Sequence, residues 1–167
     1  QTKQQHMATA HRPYEEFVQE APHLGNQYED DMFLQETLRR YFAGEGRQLD
    51  EGDLKRFGAR VVGDILAMSE NAENPANAPR LCQFDTWGRR IDVVETSEGW
   101  RQLHRVAPEE GLVALGYTEG RQRFGKLARL YQFAKLYLYG ADSAIASCPL
   151  AMTDGAARLA ELLLHQQ

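Results

Sequence analysis

Apolar side chains recur every three or four residues in the second quarter of the chain, and this spacing constrains the fold more than any other feature of the sequence. The positions are Leu54, Phe57, Val61, Ile65 and Met68. Residues three and four apart share one face of an α-helix, so the pattern predicts an amphipathic helix that opens near Asp53 and ends around Ser69. Asparagine and proline residues between 70 and 79 then predict a connecting loop.

The region before this helix divides into an arm and a first helix. Residues 1–30 show no periodicity, but they contain aromatic residues in which disordered tails are usually poor. This favours an extended arm that docks on the protein, with a flexible tail as the alternative. The first helix is expected to begin at Asp30 or Asp31, either of which can accept backbone N–H bonds as an N-cap. Gly44 is a suitable stop for it.

A β-hairpin is predicted at about residues 81–94. The segment Asp85-Thr86-Trp87-Gly88 is a glycine-containing turn between two β-prone runs. A lone two-stranded hairpin is barely stable in water, so we expect this one to pack on another part of the protein.

Helices are predicted for most of the chain after the hairpin. Ser97 is a suitable N-cap for a helix through about Val106. Pro108 suits the first turn of another short helix, which would end at Gly116. The longest helical stretch is expected from about residue 120 to residue 147.

The last predicted helix is unusually apolar. Pro149 marks its first turn, with Ser147 or Cys148 as the cap. Alanine and leucine fill it as far as Leu164. A natural domain seldom leaves so much apolar surface uncovered, so we expect the complete protein to continue beyond Gln167.

These elements together predict a mainly α protein with a small β-hairpin insertion. The expected division is an extended arm at 1–30 and a helical domain at 31–167. Hydrophobic residues make up 43% of the chain and charged residues 26%, which is enough for a packed core. No apolar run approaches the ~20 residues that a membrane span needs. The two cysteines fit a reducing compartment, so we expect an intracellular protein, in the cytoplasm or alternatively in the mitochondrion or peroxisome.

The common catalytic signatures are absent from the sequence. It contains no phosphate-binding glycine loop, no nucleophile elbow and no His-Glu-x-x-His pattern. The cysteines and histidines lack the spacing of a zinc site. We interpret His104, which lies between Arg101 and Arg105, as a surface residue rather than a base. No catalytic residue and no metal site are therefore assigned.

One stretch carries only positive charge. Its cations are Arg121, Arg123, Lys126, Arg129 and Lys135. The chain as a whole has 19 basic and 24 acidic residues, which excludes an overall basic footprint for nucleic acid. Within the stretch, Arg123, Lys126 and Arg129 could contact the phosphates of coenzyme A or of a nucleic acid. The alternative is a solvated helix face whose cations pair with acids elsewhere in the chain.

Two segments resemble AidB-type proteins, the acyl-CoA dehydrogenase-like flavoproteins of the adaptive response. Residues 84–94, Phe-Asp-Thr-Trp-Gly-Arg-Arg-Ile-Asp-Val-Val, resemble the Asp-x-x-Gly-Arg-Arg-hydrophobic-Asp hairpin of that family, and Trp100 matches a tryptophan on the next helix. Residues 147–153, Ser-Cys-Pro-Leu-Ala-Met-Thr, resemble its Cys-Pro-x-x-Met-Thr segment. Residues 22–28 are similar to its N-terminal lead. The chain departs from the family in length, since the flavin-contacting Met-Thr-Glu-x-x-Gly-Gly-Ser-Asp loop and the C-terminal bundle with the catalytic glutamate are absent.

The resemblance implies the helical N-terminal domain of an acyl-CoA dehydrogenase-type protein. The full-length protein would bind FAD, mainly through domains downstream of this chain, and the chain alone would be inactive. The implied reaction removes hydrogens from the α and β carbons of an acyl thioester, with an AidB-like alkylation response as the alternative role. By position, the candidates for one wall of the acyl pocket are Ser147, Cys148, Met152 and Thr153. The alternative is that Cys148 and Met152 only fill the core.

The resemblance also implies partners. These are the rest of the protein's own chain, acyl-CoA, further copies in a homotetramer or dimer packed through residues 13–28, and DNA bound by the C-terminal region of the full-length protein. The competing hypothesis is a non-enzymatic interaction module in which the basic helix at 121–135 binds nucleic acid or an acidic partner.

Overall fold

The computed structural model describes Gln19 and residues 22–164, and the structural statements that follow refer to these residues. Most of the predicted arm at 1–30 therefore lies outside the described residues. The helices are α1 Met32–Gly44, α2 Glu51–Arg60, α3 Leu66–Glu73, α4 Glu98–Glu109, α5 Glu119–Phe124, α6 Ala128–Gly140 and α7 Ser147–Leu164, and the strands are β1 Arg80–Phe84 and β2 Arg90–Glu95. The mainly α fold with one hairpin is confirmed. Across the described residues, every helix falls short of the length and apolar character that a membrane span requires.

Two helices have the N-caps that the sequence predicts. The Asp31 carboxylate accepts a hydrogen bond from the N–H of Leu34 at 2.7 Å, and α1 ends at Gly44. Ser97 Oγ accepts from the N–H of Trp100 at 3.1 Å and caps α4. The second helix begins slightly earlier than predicted, because Asp50 provides its cap.

The predicted apolar stripe forms the centre of the core. Leu54, Phe57, Val61 and Ile65 are fully buried. A π-helical turn, Val61–Ile65, joins α2 to α3, and the backbone of Gly63 departs from helical geometry there. The helical segment continues to Glu73 rather than ending around Ser69.

Three aromatic rings join α1, α5 and α6 within this core. The Phe124 ring stacks on Tyr131 at a centroid distance of 4.3 Å, and both rings meet Phe42 at 5.7 and 6.4 Å. Aromatic pairs in these offset and edge-to-face arrangements stabilise a core beyond their buried area. These rings therefore pack α6 against α1 and α5.

Three further sequence-based boundaries are wrong. The expected long helix at 120–147 is divided into α5 and α6 by a 3-10 turn, Gly125–Leu127, because Gly125 has φ +58°. Pro108 lies in the last turn of α4 instead of starting a new helix. Ser147 and Cys148 are the first residues of α7 and not its caps.

The hairpin prediction is confirmed, but its expected packing is not observed. The strands are antiparallel, with Leu81 opposite Val94 and Cys82 opposite Val93. No residue of either strand is buried by the described part of the chain. The hairpin extends from the helical body between the end of α3 and the start of α4.

Helix α7 also leaves apolar surface uncovered. None of its residues is buried, and Leu159 and Leu164 are exposed. The expectation that further polypeptide covers this helix stays a prediction.

Candidate functional site

An apolar groove lies between α4, the segment that follows α4, and α7. Its volume is about 540 Å³, which falls in the range of small-molecule pockets. The lining residues are His104, Ala107, Pro108, Gly111, Val113, Ala114, Tyr117, Thr118, Ala146, Pro149, Leu150, Thr153 and Ala157. No lysine, arginine or carboxylate lines the groove, so it suits an uncharged, mainly apolar ligand.

Two polar groups of His104, its backbone carbonyl and its imidazole ring, lie on the α4 side of the groove. Pro108 has no N–H, so the carbonyl of His104 lacks its usual helical donor four residues on. His104 Nδ1 lies 2.9 Å from the carbonyl oxygen of Trp100. A carbonyl only accepts hydrogen bonds, so Nδ1 carries the hydrogen, and in the neutral ring Nε2 is an acceptor. The imidazole ring packs against the Trp100 ring at 4.1 Å.

A cluster of polar side chains attaches α7 to the other side of the groove. Arg129 donates two hydrogen bonds to the Asp154 carboxylate, at 2.5 and 2.7 Å. The fully buried Gln132 donates to the same carboxylate at 3.0 Å. The Tyr117 hydroxyl donates to the backbone carbonyl of Asp154 at 2.9 Å. We call these four residues, Tyr117, Arg129, Gln132 and Asp154, the α7 clasp.

Electrostatics fix the charge states of the clasp. Hydrogen bonds from Arg129, more than the opposing effect of burial, hold the pKa of Asp154 at about 2. Burial raises the pKa of Tyr117, so the hydroxyl keeps its proton and remains a donor. Planar, bidentate arginine–carboxylate pairs are geometrically specific. The clasp therefore defines where α7 stands relative to the groove.

The four residues predicted for an acyl-pocket wall do not lie together. Thr153 lines the groove, whereas Ser147, Cys148 and Met152 are exposed on other faces of α7, with 69% of Met152 accessible. Their exposure shows that Cys148 and Met152 do not fill the core of the described chain. Whether any of the four contacts an acyl group stays a prediction.

The side of α7 that packs on the rest of the domain was not predicted from the sequence. Leu150, Asp154, Ala157 and Glu161 are the partly buried positions in that part of the helix, and they recur at intervals of four, three and four residues. This spacing was present in the sequence, but the neighbouring leucines and alanines obscured it. Nothing in the sequence indicated that His104 and Tyr117 would lie opposite this face.

The cations of the predicted basic stretch all have carboxylate partners. Arg123 pairs with Asp50 at 2.6 Å, Lys126 with Glu45 at 2.7 Å, and Arg129 with Asp154. Arg121 pairs with Glu161.

Lys135, the last of these cations, is buried beside Asp53 and Glu110. The cations of this stretch therefore pair with acidic residues elsewhere in the chain, as the alternative interpretation of the sequence expected. Anion contact by Arg123, Lys126 and Arg129 stays a prediction.

The groove does not by itself fit a dinucleotide cofactor, and the described residues do not form a metal site. A flavin dinucleotide carries a pyrophosphate, and phosphates in proteins are held by cations or by free N–H groups at helix N-termini. The groove has no lysine or arginine in its lining. Over the same residues, no group of His, Cys, Asp and Glu side chains could hold a metal ion.

Comparison with known proteins places these features in a family. The sequence model described as the adaptive response protein AidB N-terminal domain matches residues 19–166. The chain belongs to this family. The resemblance seen in the hairpin and in the Cys148-Pro149 segment is thereby confirmed.

Members and relatives of the AidB N-terminal family include larger proteins. Acyl-CoA dehydrogenase family member 11 of Caenorhabditis elegans is 35% identical over 153 residues, which cover 92% of this chain and 24% of that protein. The chain therefore spans about a quarter of the length of this relative.

Two solved structures have the same fold as the chain. The Bd2924 apo-form superposes with a TM-score of 0.77 at 46% identity, covering 87% of this chain and 28% of that one. Caenorhabditis elegans ACDH-11 in complex with C11-CoA superposes with a TM-score of 0.72 at 33% identity, covering 95% of this chain and 26% of that one. The chain is thus an N-terminal domain of acyl-CoA dehydrogenase type.

Proposed function

We propose that the chain is the N-terminal domain of an FAD-dependent, acyl-CoA-binding flavoprotein, and that the groove beside α7 receives the acyl chain. The observation that carries this proposal is the groove itself, an uncharged cleft of about 540 Å³ closed on one side by α7. An aliphatic chain gains binding free energy by leaving water for such a surface. The similar fold of ACDH-11, described with bound C11-CoA, supports acyl-CoA as the ligand class.

The residues of this chain would bind and orient the ligand rather than perform the redox chemistry. Leu150, Thr153 and Ala157 would contact the acyl chain from α7, and Val113 and Ala114 from the opposite side. The clasp would keep α7 at a fixed distance from α4. Residues beyond this chain would hold FAD, which supplies the oxidising equivalents for dehydrogenation between the α and β carbons.

A binding experiment with adjacent alanines tests the groove. Ala157 lines it, whereas the neighbouring Ala156 is exposed. In the flavin-containing full-length protein, Ala157→Leu should weaken C11-CoA binding by about tenfold, because a side chain of added volume cannot be accommodated in a filled apolar site without strain. Ala156→Leu is the matched control and should leave the affinity unchanged. Isothermal titration calorimetry measures both.

Three outcomes would count against the proposal. Equal affinities for Ala157→Leu and wild type would exclude the groove. A loss of binding in Met152→Ala without a loss in Ala157→Leu would assign the acyl wall to the outer face of α7, as predicted from the sequence for Met152. A full-length protein that folds normally but shows no flavin absorbance would remove the flavoprotein assignment.

The competing interaction-module hypothesis can be tested separately. Charge reversal by Arg123→Glu with Lys126→Glu should weaken binding of an acidic partner or nucleic acid, and the wild-type affinity should fall as salt increases. The ion pairs to Asp50 and Glu45 give that hypothesis no support.

A further inference from the structure

A second pocket lies between α1 and α6 and shares no lining residue with the groove beside α7. Its volume is about 300 Å³, which is enough for a small molecule. Aliphatic side chains such as Leu34 and Leu130 form part of the lining, together with three aromatic residues, Phe33, Phe133 and Tyr137. These aromatic side chains are 84%, 53% and 63% exposed. Exposed apolar residues grouped around a depression mark an interaction site. We call it the α1–α6 pocket.

The α1–α6 pocket carries one uncompensated negative charge. Asp31 lines it, and no lysine or arginine of the described residues does so. The Asp31 carboxylate accepts hydrogen bonds from the N–H of Leu34 at 2.7 Å and from the Tyr137 hydroxyl at 3.0 Å. Both donors are neutral, and Asp31 forms no ion pair with a described residue. A cationic ligand would therefore complement the charge of this pocket.

The aromatic rings of the pocket also suit a cation, because the face of an aromatic ring attracts positive charge. The Arg129 guanidinium lies over the Phe133 ring at 5.0 Å, so this ring already contacts one cation. The charge of Arg129 is balanced by Asp154, and the guanidinium therefore adds no excess positive charge near the pocket. The Tyr137 ring is polarised by the hydrogen bond that its hydroxyl donates to Asp31.

Few acceptors are available in the pocket for a ligand that has N–H groups. Each oxygen of Asp31 already accepts one hydrogen bond, and the remaining polar side chains of the lining are the hydroxyls of Thr37 and Tyr137. A primary ammonium brings three N–H donors and a guanidinium five, and their transfer from water is costly unless they find acceptors. A quaternary ammonium has no N–H donor and is recognised by its charge and by contact with aromatic faces.

We infer that the α1–α6 pocket binds a quaternary ammonium compound, with the cationic group against the rings of Phe33, Phe133 and Tyr137 and near the Asp31 carboxylate. A neutral ligand would leave the Asp31 charge uncompensated, and a primary amine would lose hydrogen bonds to water that the lining cannot replace. The inference depends on neither flavin nor acyl-CoA binding, since the two sites have separate linings.

Three small alcohols that differ in one end group test this selectivity. Choline has a trimethylammonium group, its tert-butyl analogue has the same shape without charge, and ethanolamine has a primary ammonium. Each is titrated into the full-length protein, and binding is followed by nuclear magnetic resonance of the ligand. Choline should bind about tenfold more tightly than either of the other two, because only choline has both the charge and the apolar surface without N–H donors.

Substitutions on α1 locate the binding site. Phe33 and Tyr41 are both exposed aromatic residues of α1, but only Phe33 lines the pocket. Phe33→Leu should weaken choline binding about fivefold, and Tyr41→Leu is the matched control and should leave it unchanged. Asp31→Asn keeps an N-cap of similar quality and removes the charge, so it should abolish the preference for choline over the tert-butyl analogue. Circular dichroism checks that each variant folds.

Four outcomes would overturn the inference. Equal affinities for choline and its tert-butyl analogue would show a purely apolar pocket, and tighter binding of ethanolamine would show a simple carboxylate site. Absence of choline binding would show that another ligand or another part of the protein occupies the pocket. Equal effects of Phe33→Leu and Tyr41→Leu would place the binding site elsewhere. Choline should leave C11-CoA binding unchanged, and Ala157→Leu should leave choline binding unchanged, so this inference and the proposed function can fail independently.

Discussion

The Nζ atom of Lys135 lies 2.9 Å from Oε2 of Glu110, and only 3% and 4% of the two side chains are exposed. Arg56 and Arg60 also donate to the Glu110 carboxylate, at 2.6 to 2.8 Å. Lys135 has a second carboxylate partner in Asp53 and lies over the ring of Phe57. This network joins α2, α4 and α6 in the interior of the domain.

Loss of Glu110 should be among the most destabilising single changes in the chain. Glu110→Gln leaves three cations facing a neutral amide, and breaking a buried ion pair typically costs about 3–5 kcal/mol. Urea denaturation monitored by circular dichroism measures the loss. The neighbouring Glu109, which is exposed, provides the control, since Glu109→Gln should change the free energy of unfolding by at most about 0.5 kcal/mol.

Loss of Lys135 should cost less than loss of Glu110. After Lys135→Met the Glu110 carboxylate keeps its hydrogen bonds from Arg56 and Arg60, and the methionine side chain can pack against the Phe57 ring. The expected loss in the free energy of unfolding is about 1–3 kcal/mol. A larger loss for Lys135→Met than for Glu110→Gln, in the same urea assay, would show that the arginines do not stabilise this carboxylate.

Acid should destabilise the domain through the same carboxylate. Burial alone would raise the pKa of Glu110, but hydrogen bonds from Arg56, Lys135 and Arg60 outweigh it and hold the pKa at about 2, below the ordinary value of 4.5. The folded-state pKa is lowered, so this stabilisation is complete above pH 4.5 and is lost as the pH falls towards 2. Urea denaturation at a series of pH values should show this decline.

The Glu110→Gln variant is the control for the pH dependence. The free energy of unfolding of this variant should fall less steeply over the same pH range, because the glutamine side chain does not titrate there. Some decline should remain, because the pKa of Asp154 is also held at about 2, chiefly by hydrogen bonds from Arg129. A variant with the wild-type slope would exclude Glu110 as a source of the acid sensitivity.

Features fixed by neighbours in sequence were predictable. The caps Asp31 and Ser97 each accept a bond from the third residue that follows, so the sequence within one turn determines them. The hairpin turn likewise depends on Asp85 and Gly88 alone. These elements were placed correctly because their signals are local.

Features that join distant segments were not predictable from the same signals. Glu161 and Asp154 neutralise Arg121 and Arg129 across separations of 40 and 25 residues, which a pattern of basic residues does not reveal. The groove likewise needs His104 and Thr153 to meet from two helices. Gly125 was interpreted as part of a helix, because a glycine within a helix costs only about 1 kcal/mol and does not by itself indicate a break.

Removal of the Asp154 carboxylate should loosen α7. This helix buries no residue, so the α7 clasp supplies much of its attachment. Asp154→Ala should reduce amide hydrogen-exchange protection across Ser147–Leu164 by about tenfold or more, while the helices of the core keep theirs. Arg158→Ala removes an exposed pair with Glu161 and should leave the protection nearly unchanged. Unaltered exchange in Asp154→Ala would mean that the Asp154 carboxylate does not hold α7 in place.

Gly125 should be intolerant of any side chain, whereas Gly155 should accept one. Gly125 has φ +58° and ψ −129°, a conformation open almost only to glycine, and a Cβ there would lie 2.9 Å from Nη2 of Arg47. Gly125→Ala should therefore lower the free energy of unfolding by about 1–3 kcal/mol. Gly155 lies within α7, and a Cβ added there would meet no neighbouring side chain, so Gly155→Ala should raise helix stability by up to about 1 kcal/mol. Thermal unfolding compares the two variants with wild type, and a neutral Gly125→Ala would show that the turn between α5 and α6 can rearrange without cost.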